Sequence, residues 1–241
     1  FLKSIDEMGI EGSQIAAVIT ESYQGVGPDF LPVEYAQRLD TYCKEFDIVT
    51  IYDEVQAGFG RTGKMFTYEH YGIEPDLIAC GKGISSSLPI SAVIGRKDIM
   101  GLYAPGSMTS THSASPLPVI AALESLKIIQ RENLVEQAAA LESVLMSSLE
   151  TVQQKYADCL GCLHGKGLVA GLQVVKSGTK EPDPETANRI NVKCYQKGLL
   201  MFAPVGIAGE CLKISPPLMI SNEALEESLQ VFSEACDEVL G

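Results

Sequence analysis

Short apolar runs alternate with an amphipathic segment along the first half of the chain. Ile15–Thr20 and Ile48–Tyr52 are β-branched apolar runs, and between them Pro32–Glu45 repeats apolar side chains at helical spacing among charged residues. Two more short apolar runs follow, Leu77–Cys80 and Ser91–Gly95, and the turn residues of Glu21–Pro28 predict a loop after the first strand. Such runs predict buried strands of a mainly parallel sheet with right-handed crossovers. We therefore predict an α/β fold class for this half, with helices layered on the sheet.

The pattern changes to long helices after Ser115. Pro116 suits a first helical turn, and helical spacing continues over Val119–Ile129 and again over Leu134–Tyr156. Gly161–Val175 indicates a turn followed by an antiparallel strand. The remaining predicted elements are a helix at Glu185–Lys197 ended by Gly198, a strand at Glu210–Ile214, and a last helix capped by Ser221. We divide the chain into residues 1–150, a large domain with bridging helices, and residues 151–241, a small α+β domain.

Composition narrows the classes of function. The 241 residues are 46% apolar with a net charge of −13, which argues against nucleic acid and anionic membranes as partners. No apolar run approaches the length of a membrane span. Seven scattered cysteines favour reduced thiols in a cytoplasmic protein over a disulfide framework.

One cysteine pair resembles half of a metal site. Cys159 and Cys162 are separated by two residues, with His164 nearby, but a zinc site needs further ligands and only two distant histidines remain. We therefore predict no metal.

Candidate chemistry follows two of the predicted strands. Asp53 ends one apolar run, and Lys82 lies between Gly81 and Gly83 just after another. Ligands of open α/β sheets gather beyond the carboxyl ends of strands. A lysine amine forms a Schiff base with an aldehyde, and a buried carboxylate is stabilised by a cationic ring nitrogen. The alternatives are a solvated turn lysine and a capping aspartate.

Several motifs in the same order together resemble the class III aminotransferases. They are Asp53-Glu54-Val55-Gln56, Gly58-Phe59-Gly60-Arg61-Thr62-Gly63, Pro75-Asp76-Leu77, Gly81-Lys82-Gly83, Thr111-His112-Ser113-Ala114-Ser115-Pro116 and Leu212-Lys213-Ile214-Ser215-Pro216-Pro217-Leu218. The resemblance implies a pyridoxal 5'-phosphate (PLP) enzyme with the PLP-dependent transferase fold type I. Members of the family are nearly twice as long, so we expect this chain to be a C-terminal part that lacks an N-terminal half, and to bind PLP poorly by itself.

The resemblance also implies roles for individual residues. Lys82 carries PLP and moves the proton during catalysis, and Asp53 pairs with the pyridine nitrogen. Val55 packs on the ring, and Gln56 bonds its phenolic oxygen. Thr111 binds the phosphate of the neighbouring subunit, which implies a homodimer with shared active sites.

Two positions bear on the substrates, which the resemblance implies to be a small amine and a 2-oxo acid. Many relatives that use ω-amino acids have a glutamate where this chain has Val26, and an arginine where it has Lys213. Lysine offers a point charge in place of the arginine fork, so a substrate carboxylate is expected to dock on Lys213 without a second hydrogen bond.

Three alternatives stay open. The same scaffold supports racemase, aminomutase and decarboxylase reactions, and the chain could also be a catalytically silent fragment or partner. A Rossmann nucleotide-binding domain is disfavoured because no Gly-x-Gly-x-x-Gly follows the first strand.

Overall fold

The computed structural model describes all residues from Phe1 to Gly241. The chain forms two compact units that interleave in sequence. The first unit contains Phe1–Ser22, Leu31–Phe59 and Met65–Glu132, and the second contains Tyr23–Phe30, Gly60–Lys64 and Asn133–Gly241. This contact pattern groups all of the helix that begins at Leu134 with the second unit, whereas the domain boundary between residues 150 and 151 stays a prediction.

Nine strands and seven α-helices make up the regular structure. The strands are β1 Ala17–Glu21, β2 Tyr23–Gln24, β3 Asp29–Phe30, β4 Val49–Asp53, β5 Leu77–Cys80, β6 Ala92–Gly95, β7 Leu160–Lys166, β8 Val169–Val174 and β9 Cys211–Ile214. The helices are α1 Leu2–Glu7, α2 Val33–Glu45, α3 Lys97–Met100, α4 Pro116–Arg131, α5 Leu134–Lys155, α6 Pro184–Gln196 and α7 Asn222–Leu240.

The first unit is built on a four-stranded sheet in the order β1-β4-β5-β6. Strands β1, β4 and β5 are parallel, and β6 runs antiparallel to β5. Helix α2 connects β1 to β4 and buries Ala36, Leu39 and Cys43. The predicted α/β class and mainly parallel sheet are therefore confirmed for this unit.

Several predicted boundaries agree with the structure to within a few residues. Helix α4 has Pro116 in its first turn, and Ser221 caps α7 because its hydroxyl accepts a hydrogen bond from the N–H of Ala224. Gly198 follows α6 with φ +89°, a left-handed conformation that glycine adopts without strain.

Two stretches differ from the prediction. Gly161–Val175 is a hairpin of two strands, β7 and β8, in place of a turn and one strand, because Gly167 turns the chain with φ +58°. The segment Glu21–Pro28, expected to be a loop, contributes to a second, short hairpin of β2 and β3.

The second unit packs a three-stranded antiparallel sheet, β7-β8-β9, against helices α5, α6 and α7. Fully buried side chains from every one of these helices meet in one core, among them Leu145, Ile190 and Phe232. No helix in the chain is both long enough and apolar enough to cross a membrane.

Candidate active site

Asp53 and Lys82 follow neighbouring strands at one edge of the first unit's sheet. Asp53 is the last residue of β4 and pairs in register with Ala79 of β5. Lys82 comes two residues after the end of β5 and begins a short 3₁₀ helix, Lys82–Ile84. Because β4 and β5 are parallel, their carboxyl ends meet at the same edge, where ligands of α/β sheets bind.

Lys82 has an unusual backbone and an available amine. Its φ is +38°, a conformation that residues with a side chain rarely adopt. The side chain is exposed and makes no hydrogen bond or ion pair within the chain. Residues held in sparsely populated backbone conformations cluster at functional sites, so this geometry favours a chemical role for the lysine.

The glycines on either side of Lys82 pack closely against other side chains of the chain, Gly81 more tightly than Gly83. A Cβ atom at Gly81 would lie 3.1 Å from Cγ1 of Val55, and one at Gly83 would lie 3.4 Å from Cβ of Phe59. The residues after β4 therefore pack directly against the turn that carries Lys82.

Asp53 presents one engaged and one available carboxylate oxygen. Its Oδ1 accepts a hydrogen bond from the N–H of Val55 at 2.9 Å, and its other oxygen accepts none from the chain. The side chain is half-buried, where a carboxylate gains from a cationic partner. An aspartate with a free oxygen and a lysine with a free amine at one sheet edge fit a cofactor that has a basic ring nitrogen and an aldehyde.

The other predicted cofactor ligands are distributed over this unit. Val55 and Gln56 are half-buried and directly follow Asp53. Thr111 is exposed, in a turn shortly before α4 where the N–H of Ser113 bonds the carbonyl of Ser110. The structure thus gathers Asp53, Val55 and Gln56 with the turn of Lys82, and leaves Thr111 on the exposed stretch 101–114.

Glu54, which directly follows Asp53, is a buried residue for which no functional role was predicted. Its side chain is 0% exposed, and its carboxylate accepts hydrogen bonds from Ser22 Oγ at 2.5 Å, Tyr68 N at 2.9 Å and Thr67 N at 3.0 Å. Burial raises the pKa of Glu54, and the three hydrogen bonds oppose that rise. The only sequence signal was a second acid directly after Asp53.

Lys213, the predicted carboxylate ligand, lies in the second unit. Its buried ammonium donates to the carbonyl of Gly25 at 2.8 Å and lies 6.0 Å from the ring centre of Tyr23. The residue also borders an apolar groove of about 420 Å³ beside β9 and α7.

The hairpin of β2 and β3 packs on the second unit's sheet, along the row of paired residues that contains Lys213. In that row His164, Gly171 and Lys213 are paired across β7, β8 and β9. His164 Nε2 lies 3.4 Å from Asp29, and a Cβ atom at Gly171 would lie 2.7 Å from Pro28. The hairpin that carries Val26 is therefore fixed along one line of the sheet.

Arg61 has a structural environment in the second unit. Its guanidinium donates to the carbonyls of Leu168 at 3.0 Å and Pro216 at 2.6 Å. Burial lowers the pKa of Arg61.

No group of three or more His, Cys, Asp or Glu side chains has a geometry that could hold a metal ion. All seven cysteines are free thiols, and Cys162 is exposed.

The chain is similar to known proteins along most of its length. The family model described as "Aminotransferase class-III" matches residues 2–236. A 4-aminobutyrate aminotransferase of Mycobacterium leprae (strain TN) is 36% identical over 231 residues, which are 95% of this chain and 51% of that protein. An alanine/serine racemase of Pyrococcus horikoshii is 35% identical over 228 residues, 94% of this chain and 47% of that protein. The chain spans about half the length of the curated relatives that it matches.

A solved transaminase structure is also similar to this chain. This chain superposes on an S-selective transaminase from Arthrobacter sp. with a TM-score of 0.88 and 34% sequence identity. The matched region covers 98% of this chain and 54% of the transaminase chain. The predicted fold type I is thereby confirmed. The chain belongs to the class III aminotransferase family.

Proposed function

We propose that the protein transfers an amino group from an amine or amino acid, including ω-amino acids, to a 2-oxo acid with PLP as cofactor. The observation that carries the proposal is the placement of Asp53 and Lys82 after adjacent parallel strands, each with an unengaged polar group. The family and its transaminase relatives support the same reaction class.

Lys82 is the proposed catalytic residue. When bound, PLP supplies an aldehyde and an electron-withdrawing ring that stabilises negative charge on the substrate carbon. The Nζ atom of Lys82 would hold the cofactor through its aldehyde carbon, with loss of water. Once the amine of the substrate has displaced it, the released Nζ would take a proton from the substrate carbon and deliver it to the cofactor carbon. The exposed side chain and the adjoining glycines leave Nζ room for both tasks.

Asp53, Val55 and Gln56 are the proposed ligands of the ring. The free oxygen of Asp53 would pair with the ring nitrogen, and its negative charge would favour the protonated form of that nitrogen. Val55, which packs on Gly81, would pack on the ring, and Gln56 would bond its phenolic oxygen. These groups orient the ring relative to Nζ of Lys82.

Thr111 is the proposed phosphate ligand of a neighbouring subunit in a homodimer. Its hydroxyl lies in an exposed turn shortly before the N-terminus of α4, and N–H groups at such positions favour anions. Large apolar side chains around this turn, including Leu102, Met108 and Leu117, are exposed in the single chain. An exposed apolar patch of this kind supports burial against another polypeptide.

Lys213 is the proposed binding residue for a substrate carboxylate. Its ammonium is a point charge at the border of an apolar groove, which suits a substrate with a carboxylate and an apolar part. Val26, half exposed on the neighbouring hairpin, adds no negative charge there.

The division into a large domain, residues 1–150, and a small domain, residues 151–241, is part of the same proposal. So is a cytoplasmic location, which the seven free thiols support.

Product analysis tests the proposed reaction. The protein at its full natural length is incubated with PLP, pyruvate and a panel of amines and ω-amino acids. Formation of alanine in step with loss of the amine is expected. Absence of both alanine and a visible cofactor absorbance would favour a silent protein over an enzyme.

Racemisation is a second candidate, because two of the matching relatives are racemases from Pyrococcus horikoshii and Thermococcus litoralis. A racemase inverts an amino acid without consuming pyruvate. Chiral chromatography of alanine, serine, leucine and methionine incubated without a 2-oxo acid separates the two reactions.

A further inference from the structure

Glu54 occupies the junction of three elements at the edge that carries Asp53. Its own N–H continues the ladder to β5 by donating to the carbonyl of Ala79 at 2.9 Å. Its carboxylate reaches Ser22, the residue directly after β1, and the N-terminus of the 3₁₀ helix Thr67–Tyr71. One side chain therefore ties the ends of β1 and β4 to the start of that helix.

The hydrogen bonds around Glu54 favour an ionised carboxylate. Backbone N–H groups only donate, and they occupy both oxygens: that of Tyr68 bonds Oε1 and that of Thr67 bonds Oε2. The hydroxyl of Ser22 is the third donor to the carboxylate, and it also bonds Oε1. Hydrogen bonds to a charged acceptor are the strong ones, and three of them offset much of the cost of burying the charge.

The partners of Glu54 are themselves fixed. The N–H of Ser22 donates to the carbonyl of Asp53 at 3.3 Å, and its own carbonyl accepts a hydrogen bond from the hydroxyl of Tyr71. The hydroxyl of Thr67 donates to the carbonyl of Ala57 at 2.9 Å. The backbone on both sides of Asp53 is thus held by a closed set of hydrogen bonds.

The charges of Glu54 and Asp53 overlap at the end of β5. Burial raises the pKa of the Cys80 thiol to about 11, and Glu54 and Asp53 add to that rise. Cys80 is two residues before Lys82. The field of both carboxylates therefore reaches the end of β5, which leads into the turn that carries Lys82.

The other titratable groups around Glu54 leave its charge dominant. Burial raises the pKa of Tyr68 and raises that of Tyr71 to about 12, so both phenols are neutral at physiological pH, as is Cys80. Glu69 is the other acidic neighbour, and its exposed carboxylate accepts a hydrogen bond from the N–H of Phe66.

We propose that Glu54 is a positioning residue that holds the backbone around Asp53 and places a second buried negative charge beside the ring that Asp53 binds. This inference rests on the proposed PLP function. The added charge favours protonated forms of the bound cofactor, so it acts in the same direction as Asp53. Glu54 touches neither cofactor nor substrate in this scheme and acts through Asp53 and its field.

The decisive experiment is a pH titration of the visible absorbance of the cofactor in the full-length protein loaded with PLP. Glu54→Gln keeps the size of the side chain and removes its charge, so the pH midpoint is expected to fall by roughly one unit, as for loss of a nearby opposite charge. Glu45→Gln, the same change at an exposed position of α2, is the matched control and is expected to leave the midpoint in place.

The result for Glu54→Gln decides between a positioning role and a purely structural role for Glu54. A folded Glu54→Gln protein with the wild-type midpoint would overturn the proposal and leave Glu54 a structural residue. If Glu54→Gln does not fold, Ser22→Ala removes one of the three donors while keeping the charge. It is expected to weaken PLP binding about tenfold, as for the loss of one charge-assisted hydrogen bond. An unchanged PLP affinity in Ser22→Ala would then overturn the proposal. Failure of the wild-type protein to show any cofactor band would instead contradict the proposed function itself.

Discussion

In the second unit, buried side chains of three helices and a three-stranded sheet meet in one continuous apolar core, whereas the sheet of the first unit leaves apolar side chains on its surface. Ile19 on the parallel strand β1 is 67% exposed, and Val93 and Ile94 on β6 are about half exposed. Parallel sheets are normally covered on both faces. The comparison indicates that helices of the second unit cover one face of its own sheet, whereas the sheet of the first unit keeps apolar side chains exposed within this chain.

The two units also differ in what fixes their strands. The first unit uses buried or half-buried carboxylates as ties: Glu54 at the carboxyl ends of the strands and Asp76 at the opposite end. The second unit relies on side-chain packing, with Leu145 and Leu149 of α5 fully buried against its sheet and helices. Polar ties set the geometry of a few backbone atoms, which suits the unit that holds Asp53 and Lys82.

Core truncation in the second unit should have the largest effect. Leu145→Ala is expected to lower the free energy of unfolding by about 2–5 kcal/mol, because the site is fully buried and a cavity remains. Ile207→Ala, at a residue 99% exposed in the same unit, should change it by less than about 0.5 kcal/mol. Denaturant unfolding of the full-length protein measures both, and equal effects would contradict the self-sufficient core.

Breaking a polar tie of the first unit should have a smaller, pH-dependent effect. Asp76 accepts hydrogen bonds from the N–H and hydroxyl of Thr50 at 2.8 and 3.0 Å and from Arg96 at 2.7 Å. Burial raises the pKa of Asp76, but these bonds outweigh it and hold the pKa below its ordinary value. Asp76→Asn is expected to cost about 2 kcal/mol at neutral pH, as for hydrogen bonds to a charged group.

The sign of the pH dependence follows from the depressed pKa. The contribution of Asp76 is complete above the unfolded-state pKa of about 3.9 and is lost as the pH falls through the lower folded value. Unfolding free energies of wild type and Asp76→Asn should therefore converge in acid. Asp98→Asn removes an exposed partner of Arg96 and serves as the control, with a small effect expected. A constant difference at all pH values would exclude the tie.

The exposed apolar surface of the first unit should matter for association. If the proposed homodimer buries this surface, Leu102→Ser, at a residue 77% exposed in the first unit, is expected to weaken dimerisation about tenfold or more, because burying a leucine contributes about 1.5–3 kcal/mol. Leu200→Ser, at a residue 79% exposed in the second unit, is the matched control and should leave the dimer unchanged. Sedimentation equilibrium measures both constants, and equal effects would remove the distinction between the two surfaces.

Lys213 offers the smallest expected effect. If it binds a substrate carboxylate, Lys213→Met should raise KM several-fold for donors with a carboxylate and leave carboxylate-free amines nearly unchanged, with kcat little affected. An equal loss for both donor classes would instead indicate that Lys213 serves only to hold Gly25 and its hairpin. Lys213→Arg, which keeps the charge, is the control.

Local patterns predicted much of this fold and the position of the candidate site. The apolar runs at β1, β4 and β5 and the helical periods of α2, α4 and α5 each encode their structure within a few residues, and the acid and the lysine follow directly from the strand ends. The β7–β8 hairpin was missed because its turn depends on the backbone of Gly167 in a stretch with several glycines.

Local sequence patterns could not predict the long-range contacts. Lys213 donates to a carbonyl 188 positions away in sequence. Glu54 accepts hydrogen bonds from residues both before and after it in sequence, and no repeating pattern of apolar residues predicts these contacts. The glycines around Lys82 also proved to accommodate Val55 and Phe59, contacts that depend on how β4 and β5 lie side by side. These features require the assembled sheet.

The most direct test of the central assignment is borohydride reduction of the full-length protein loaded with PLP, followed by peptide mapping of the modified lysine. A single stable modification at Lys82 is expected, and it should be absent from Lys82→Ala. Modification at another lysine, such as Lys64 or Lys213, or none in a protein with PLP bound, would contradict that assignment.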